Sequence, residues 1–197
     1  MSNRQPTYPI DPMFLDRWSP RAFDGSPIRE DDVLKLIEAA RWAPSAFNVQ
    51  PWRFLYALRD DAKWPLFLEL LIPFNQGWAS SAAALIFILS DRKMRNPDGS
   101  PSGDSYTHSF DAGAAWAQLA LQARRDGFYA HGMSGFDVGQ ATERLGVPAD
   151  YRIEAVIAVG RLGDPATLPD YLREREQPSA RTPLDQIAFA GAFRAAS

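Results

Sequence analysis

The sequence predicts a single domain that combines α-helices with a buried β-sheet. Its 197 residues are enough for one well-buried domain and short for two. Large apolar side chains recur at every second position of residues 52–58, which is the period of a β-strand. Residues 82–89 are continuously apolar, as in a strand buried on both faces. Apolar residues between positions 33 and 40 follow helical spacing instead, so helices and strands share the chain.

Capping and breaking residues delimit the first two helices. Asp11 precedes Pro12, which predicts an N-cap and a short helix that ends near Arg17. A second helix follows, with acidic residues at positions 30–32, where negative charge is favourable at a helix N-terminus. Pro44 ends this helix because proline cannot continue the hydrogen-bond ladder.

The rest of the chain alternates short elements with loops. We expect a helix over residues 60–71 and a mobile loop over residues 93–105, which are rich in Gly, Ser, Pro and Asn. Small residues dominate positions 110–127 and predict a central helix that packs closely, a candidate for dimer contact. A short helix over residues 137–145 and a buried strand over residues 153–159 follow.

Composition excludes several classes of site and partner. The chain has no cysteine, which excludes disulfides, thiolate nucleophiles and cysteine-based metal sites. The two histidines, His108 and His131, belong to no metal-ligand pattern. A net charge of −3 offers no basic field for nucleic acid, and no apolar run is long enough to span a bilayer. We therefore expect a cytoplasmic protein that binds neither nucleic acid nor membrane.

The connector between the second helix and the first strand has an unusual composition. Residues 43–52 read APSAFNVQPW and bring a Trp, a Phe and two carboxamides together. Aromatic faces beside carboxamides and backbone N–H groups suit a planar heterocycle, which needs both stacking and hydrogen bonds at its edge. The alternative is a proline-broken loop whose aromatic side chains fill the core.

These residues resemble the paired N-terminal signature of the FMN-dependent nitroreductase family. The signature consists of residues 17–23, RWSPRAF, followed by the 43–52 connector. Weaker matches follow in the family's order at residues 74–75 (FN), 132–137 (GMSGFD) and 181–183 (RTP). The resemblance implies an α+β, three-layer fold with a central, mostly antiparallel sheet flanked by helices, in an intertwined homodimer. Residues 1–197 would form one domain, whose tail from about residue 161 wraps the partner subunit.

The resemblance assigns the first signature and the RTP motif to the phosphate end of FMN. Residues that match Arg17, Ser19 and Arg181 contact the phosphate and ribityl region in the family. The residue that matches Arg21 lies near the flavin N1–O2 edge, and Trp18 belongs to the same cofactor-binding segment. The alternative is that these arginines are solvated surface residues, and that Arg21 pairs with Asp24.

The connector and Asn75 would approach the flavin ring. In the family, the residues that match Pro44, Ser45, Asn48 and Gln50 reach the flavin from the second subunit, so a monomer would be incomplete. Asn75 matches an asparagine whose amide binds the pyrimidine edge. An equally good local explanation of Asn75 is the N-cap of a helix over residues 76–81.

The glycine-containing loop completes the set of implied contacts. Met133, Ser134 and Gly135 match a loop whose backbone N–H groups point at flavin N5 and O4, where they would stabilise developing charge. The alternative is an ordinary glycine turn before a helix. Ser134 stands where several family members carry an acidic residue, and Trp78 stands where some carry a cation.

The function that the resemblance implies is FMN-dependent reduction by NAD(P)H. FMN would be tightly bound and NAD(P)H a transient reductant, and a nitroaromatic, quinone or related acceptor would be reduced in a ping-pong hydride mechanism. No Gly-x-Gly-x-x-Gly follows a strand, so a separate Rossmann site is not indicated. Three alternatives stay open: a flavin carrier or sensor without efficient turnover, a specialised enzyme of the same superfamily, and an interaction protein with an aromatic surface.

Overall fold

The computed structural model describes residues 4–193 and has a four-stranded antiparallel sheet at its centre. Its strands are β1 Trp52–Leu58, β2 Ala84–Asp91, β5 Tyr129–Met133 and β6 Tyr151–Gly160, and a separate hairpin contains β3 Lys93–Arg95 and β4 Pro101–Asp104. The strand order in the sheet is β1-β2-β6-β5. Strand β2 lies between β1 and β6 in antiparallel register, and β5 pairs with the other edge of β6.

Helices cover both faces of this sheet, which confirms the predicted three-layer α+β fold. On one face, Leu36 and Leu119 belong to a core cluster with Ile86 and Ile157 of the sheet. On the other face, apolar residues of four other helices belong to the core cluster that contains Phe87. The helices are α1 Pro12–Asp16, α2 Glu30–Arg41, α3 Trp64–Glu69, α4 Pro73–Ala79, α5 His108–Arg125, α6 Val138–Arg144 and α7 Asp170–Arg173.

The three strands predicted from pattern are all present: β1 has the predicted bounds, β2 lies two residues further along the chain than predicted, and β6 contains the predicted residues 153–159. Every residue of β2 is buried, because helices cover both of its faces and strands flank both of its edges. Strand β1 lies at an edge of the sheet and has a mixed burial pattern. The predicted N-cap of α1 is also present, since the Asp11 carboxylate accepts a hydrogen bond from the Met13 N–H. No helix among residues 4–193 combines the length and apolar character that crossing a bilayer requires.

The expectation of a mobile loop over residues 93–105 was wrong. This segment forms a hairpin of β3 Lys93–Arg95 and β4 Pro101–Asp104. The polar turn residues between them, including Gly99 with φ of 83°, form the hairpin turn. Its base is tied to the domain by the buried Asp91 carboxylate, which accepts from Lys93 N–H and pairs with Arg95 at 2.6 Å. The strands are too short to show an alternating pattern.

The C-terminal tail has two parts. Leu168 and Leu172 are buried in the core cluster of their own chain, so the tail does have an apolar face as far as α7. From residue 177 to residue 193 the side chains are mostly exposed. Wrapping of this second part around a partner subunit stays a prediction.

The segment that follows α1 is fastened to the end of β6. Phe23 forms an isolated antiparallel bridge with Leu162. The Gly163 N–H donates to the Ala22 carbonyl at 2.9 Å, and the Asp24 N–H donates to the Arg161 carbonyl at 3.1 Å. A Cβ on Gly163 would lie 2.5 Å from the Phe23 carbonyl carbon, so only glycine permits this approach.

We predict that Gly163→Ala lowers the free energy of unfolding by about 1–3 kcal/mol, because the backbone of Phe23 must move to admit the methyl group. Gly77→Ala is the matched control, since a Cβ there meets nothing within 4 Å. Gly77 lies in α4, where alanine should stabilise by roughly 0.5–1 kcal/mol. Urea denaturation of both variants checks the pair, and parental stability of Gly163→Ala would contradict it.

Candidate functional site

Residues 19–22 are held in place by side chains from two distant parts of the chain. Glu176 Oε1 accepts hydrogen bonds from the backbone N–H groups of Arg21 at 2.6 Å and Ala22 at 2.8 Å. The His131 ring lies 2.9 Å from the Pro20 carbonyl through Nδ1. Burial lowers the pKa of His131 to about 4, and the charge of Arg21 adds to this effect. The ring is therefore neutral at pH 7 and carries its proton on Nδ1, because a carbonyl can only accept.

Three arginines converge beside this segment. Burial, then the charges of Arg181 and Arg4, lower the pKa of the Arg17 guanidinium. Arg17 Nη1 lies 3.4 Å from Ser19 Oγ, while Arg181 donates to Ser179 and Ala180. Within residues 4–193, no carboxylate pairs with Arg17 or Arg181. Like charges held together in this way are repulsive, and an anion would relieve the repulsion.

Arg4 was not anticipated from the sequence. Its guanidinium donates to the carbonyls of Leu15 and Arg17, at 2.9 and 2.8 Å, and to the carbonyl of Ser179 at 2.8 Å. Arg4 therefore ties the end of α1 to the tail that carries Arg181. A cavity of about 640 Å³ borders Arg4 and Arg181 and is otherwise lined by residues 5–15 and 178–187. No local motif surrounds Arg4, so only the fold reveals it.

Arg21 faces aromatic surface instead of a carboxylate. Its guanidinium carbon lies 5.9 Å from the centroid of the Trp78 ring, and Trp78 in turn packs at 4.7 Å against the His131 ring. The buried Nε of Arg21 has no hydrogen-bond partner among residues 4–193. The alternative pairing with Asp24 is wrong, since Asp24 Oδ1 accepts from the Ser26 N–H and hydroxyl, and no ion pair joins it to Arg21 in the described chain.

Asn75 is not a helix N-cap. Helix α4 already begins at Pro73, and Asn75 is buried within its first turn. Its Nδ2 donates to the Gly135 carbonyl at 2.9 Å, and its Oδ1 accepts from Trp78 Nε1 at 3.3 Å. A Cβ on Gly135 would lie 2.5 Å from Asn75 Nδ2. Asn75 therefore joins the Arg21–Trp78 contact to the glycine-containing loop.

The glycine-containing loop follows β5 and has two backbone N–H groups that are unused within residues 4–193. Met133 is the last residue of β5 and is buried, whereas Ser134 is exposed. The Gly135 carbonyl accepts from Ile72 N–H at 3.1 Å, which fixes the loop against the start of α4. Among the residues that the structure describes, the backbone N–H groups of Ser134 and Gly135 donate to no acceptor. Two neighbouring free donors can bind a charged or carbonyl oxygen.

The 43–52 connector lies elsewhere in the subunit. Its Ala46 N–H donates to the buried Asp111 carboxylate of α5 at 3.3 Å. Ser45 Oγ accepts from the Gln50 N–H at 3.0 Å, which closes the connector on itself. Positive φ angles occur at Phe47, Asn48 and Gln50, a conformation that non-glycine residues adopt at a cost. Such strain is typical of functional segments.

The alternative that the aromatic residues of the connector fill the core holds for only one of them. Trp52 is 5% exposed and belongs to the core cluster, whereas Phe47 is 92% exposed. Pro44, Asn48 and Gln50 are exposed as well. The connector therefore presents Phe47 and its polar groups to the outside of its own subunit.

Helix α5 separates the two sets of residues that the sequence predicts as cofactor contacts. Asp111, in its first turn, holds the connector, whereas Arg124, in its last turn, lies 4.0 Å from Asp16, next to Arg17. At about 1.5 Å per residue, these positions are roughly 20 Å apart. One chain thus keeps Pro44, Ser45, Asn48 and Gln50 about 20 Å along α5 from the end of the helix that lies next to Arg17. The other predicted contacts are linked to one another through Ser19, through the Trp78 ring and Asn75, and through Trp18, whose ring centroid lies 6.1 Å from that of Tyr129 in β5. We call them the β5-edge group: Arg17, Trp18, Ser19, Arg21, Asn75, Met133, Ser134, Gly135 and Arg181.

Comparison with known proteins shows which family this protein belongs to. The model of the nitroreductase family matches residues 15–161. The chain belongs to the nitroreductase family. It is therefore a nitroreductase-type oxidoreductase, and the predicted fold and family are confirmed.

Relatives of this nitroreductase-family chain show the same fold and related chemistry. A crystal structure described as an oxidoreductase containing FMN superposes with a TM-score of 0.95 at 52% sequence identity, covering 98% of each chain. The CLA biosynthesis enone reductase of Lactiplantibacillus plantarum is 31% identical over 184 residues, which cover 77% of this chain and 84% of the relative. The NADH dehydrogenase of Thermus thermophilus is 26% identical over 202 aligned residues, covering 89% and 92%.

The depressed pKa of His131 predicts a specific pH dependence of stability. Between pH 4 and about 6.5 the unfolded chain binds a proton at this histidine and the folded chain does not, so the free energy of unfolding falls as the pH falls through this window. The loss amounts to about 3 kcal/mol at pH 4 relative to neutral pH. Urea denaturation of His131→Gln across this range should show a shallower slope, while His108→Gln serves as the control. Identical slopes in parent and His131→Gln would contradict the assignment.

Proposed function

We propose that the chain is a homodimeric FMN-dependent NAD(P)H oxidoreductase that reduces nitroaromatic, quinone or related acceptors. Bound FMN supplies the hydride chemistry, taking electrons from NAD(P)H in one half of a ping-pong cycle and delivering them to the acceptor in the other. The FMN content of a structure that is 52% identical to this chain supports the cofactor, and the names of the relatives support the reductant and the class of acceptor.

The observation that carries the proposal is the cluster of Arg17, Arg181 and Arg4. Guanidinium groups match the oxygens of a phosphate in geometry and charge, and the Ser19 hydroxyl can add a further hydrogen bond. Burial, followed by the charges of Arg181 and Arg4, lowers the pKa of Arg17, and a phosphate is the kind of ligand that would compensate the repulsion between these charges. The residues present therefore fit the phosphate end of FMN.

The remaining members of the β5-edge group fit a ring with acceptor atoms along its edges. The N–H groups of Ser134 and Gly135 are unused within residues 4–193 and can donate to such acceptors. Asn75 has a second amide hydrogen beyond the one that binds Gly135. Arg21 adds a fixed positive charge that favours negative charge on a bound ring. In this arrangement the protein positions and polarises the cofactor, and no side chain acts as a nucleophile.

A second subunit would supply the missing half of the site. The connector residues Pro44, Ser45, Asn48 and Gln50 lie at the opposite end of α5 from Arg17 of their own chain. Their outward-facing, strained conformation suits contact with a neighbouring subunit. We infer two sites per dimer, each made of the β5-edge group of one chain and the connector of the other, with the exposed end of the tail lying on the partner.

Anaerobic turnover separates this enzyme from a flavin carrier or sensor of the same fold. We expect the purified protein to contain FMN and to oxidise NAD(P)H in the presence of a quinone, with parallel initial-rate lines typical of ping-pong kinetics. Protein that holds FMN but shows no acceptor-dependent oxidation would instead be a carrier or sensor. Protein that binds no FMN would contradict the proposal altogether.

We predict that Arg181→Ala weakens FMN binding roughly ten- to hundredfold. Loss of one charge-assisted phosphate contact corresponds to about 1.5–3 kcal/mol. Arg173→Ala is the control, because Arg173 is another exposed arginine of the tail but pairs with Asp170 on the surface. Fluorescence titration of the apoproteins with FMN measures both constants, and equal affinity of Arg181→Ala and parent would remove Arg181 from the site.

We predict that Arg21→Gln lowers the flavin midpoint potential while changing FMN affinity less than Arg181→Ala does. Reduction adds negative charge to the flavin, so a fixed cation beside it stabilises the reduced form more than the oxidised form. Arg144→Gln, which removes a surface arginine paired with Glu69, controls for the change in net charge. Spectroelectrochemistry decides the question, since an unchanged potential in Arg21→Gln means that Arg21 does not face the flavin.

A further inference from the structure

We infer that Glu176 is a positioning residue of the cofactor site, which holds the backbone of Arg21 and Ala22 and thereby sets where the Arg21 guanidinium lies. The inference rests on the proposed function for its effect on the flavin, but not for the contact itself. Glu176 lies in the tail, far along the sequence from the segment that it holds. No sequence motif includes it.

The contact is short, double and buried. One carboxylate oxygen, Oε1, accepts both N–H groups, at 2.6 and 2.8 Å, and Glu176 is only 9% exposed. Hydrogen bonds to a charged acceptor are stronger than those between neutral groups. Two adjacent donors on one acceptor also restrict the orientation of the peptide plane between Arg21 and Ala22.

The tail presents Glu176 from a fixed support. Glu176 follows α7 closely, and its N–H donates to the Arg173 carbonyl at 3.1 Å. Leu172, within α7, is buried in the core cluster of the same chain. The carboxylate is therefore anchored to the core on one side and to the Arg21 backbone on the other.

The position of Arg21 depends on its backbone because its side chain is weakly held. In the part of the chain that the structure describes, the guanidinium makes a cation–π contact with Trp78 and forms no ion pair, and Nε has no hydrogen-bond partner. The other hydrogen bonds that hold this segment bind the backbone of Pro20, Ala22 and Asp24, and none of those bonds binds the backbone of Arg21. Glu176 is thus the group that restrains the Arg21 backbone itself.

A role as a simple anchor for the tail explains this arrangement less well. Glu176 Oε2 is buried and has no hydrogen-bond partner among residues 4–193, which is an unfavourable state for a carboxylate oxygen. An apolar side chain would pack the tail without that penalty. What an apolar side chain could not provide is the acceptor for the Arg21 and Ala22 N–H groups.

A pair of variants separates the hydrogen bonds from the charge. Glu176→Gln and Glu176→Ala remove the same charge, but glutamine keeps an acceptor oxygen at the position of Oε1. In the apoprotein, we expect amide hydrogen exchange of Arg21 and Ala22 to be at least about tenfold faster in Glu176→Ala than in Glu176→Gln, as the loss of two hydrogen bonds to the amide oxygen of glutamine implies. In the FMN-loaded protein, we expect a lower midpoint potential for Glu176→Ala than for Glu176→Gln.

Asp91→Ala is the control for loss of stability alone. Asp91 is another buried carboxylate that accepts a backbone N–H, but it holds the β3–β4 hairpin. This substitution should lower the urea concentration at which half of the protein is unfolded. It should leave the amide hydrogen exchange rate of Arg21 and the flavin midpoint potential as in the parent. If Glu176→Ala does not fold, Glu176→Asp, which is shorter by one methylene, is compared with the parent in its place.

The exchange rates and the midpoint potentials test different parts of the inference. Equal exchange rates in Glu176→Ala and Glu176→Gln would overturn the inference, because another acceptor would then hold the segment. Faster exchange with equal potentials would also overturn it and leave Glu176 as an anchor for the tail. Failure of the parent to bind FMN would instead overturn the proposed function, and the exchange rates would still decide whether Glu176 holds the Arg21 backbone.

Discussion

The rigid length of α5 determines how the candidate site can be assembled. Asp111, in the first turn of the helix, binds the connector, and Arg124, in its last turn, lies near Asp16. A continuous helix between these points keeps the connector about 20 Å from the end of α5 that lies next to Arg17. The connector is therefore far from Arg17 in its own subunit, and we propose that a second chain supplies the connector of each site.

Within one subunit, the fold brings together arginines that repel one another and backbone N–H groups that bind no acceptor among residues 4–193. Arg17 and Arg181 come from opposite ends of the chain, and Arg4 ties the segments that carry them through backbone carbonyls. Asn75 binds the Gly135 carbonyl beside the N–H groups of Ser134 and Gly135, which donate to no acceptor among residues 4–193. Donors that are unused within residues 4–193, next to several like charges, are unfavourable alone, and this arrangement is typical of a site preorganised for an anionic ligand.

Local sequence signals predicted the parts of the structure that local physics determines. The apolar run of β2 and the cap at Asp11 are examples, because burial on both faces and helix capping depend on adjacent residues. The five-residue strand β5 and the β3–β4 hairpin were missed, since short strands depend on pairing with distant partners. Arg4, His131 and Glu176 were missed for the same reason: their contacts with residues 15–22 exist only once the chain has folded.

Mixed dimers test the central claim, that each site takes its two groups from different chains. One variant carries Arg17→Ala and Arg181→Ala, and the other carries Asn48→Ala and Gln50→Ala. Each alone should lose FMN, because every site in either homodimer contains a damaged group. A mixed dimer isolated after co-expression should retain FMN at about half of its sites, since one site then combines two intact groups. If the mixed dimer holds no more FMN than the separate variants, both groups act within one chain and the account is wrong.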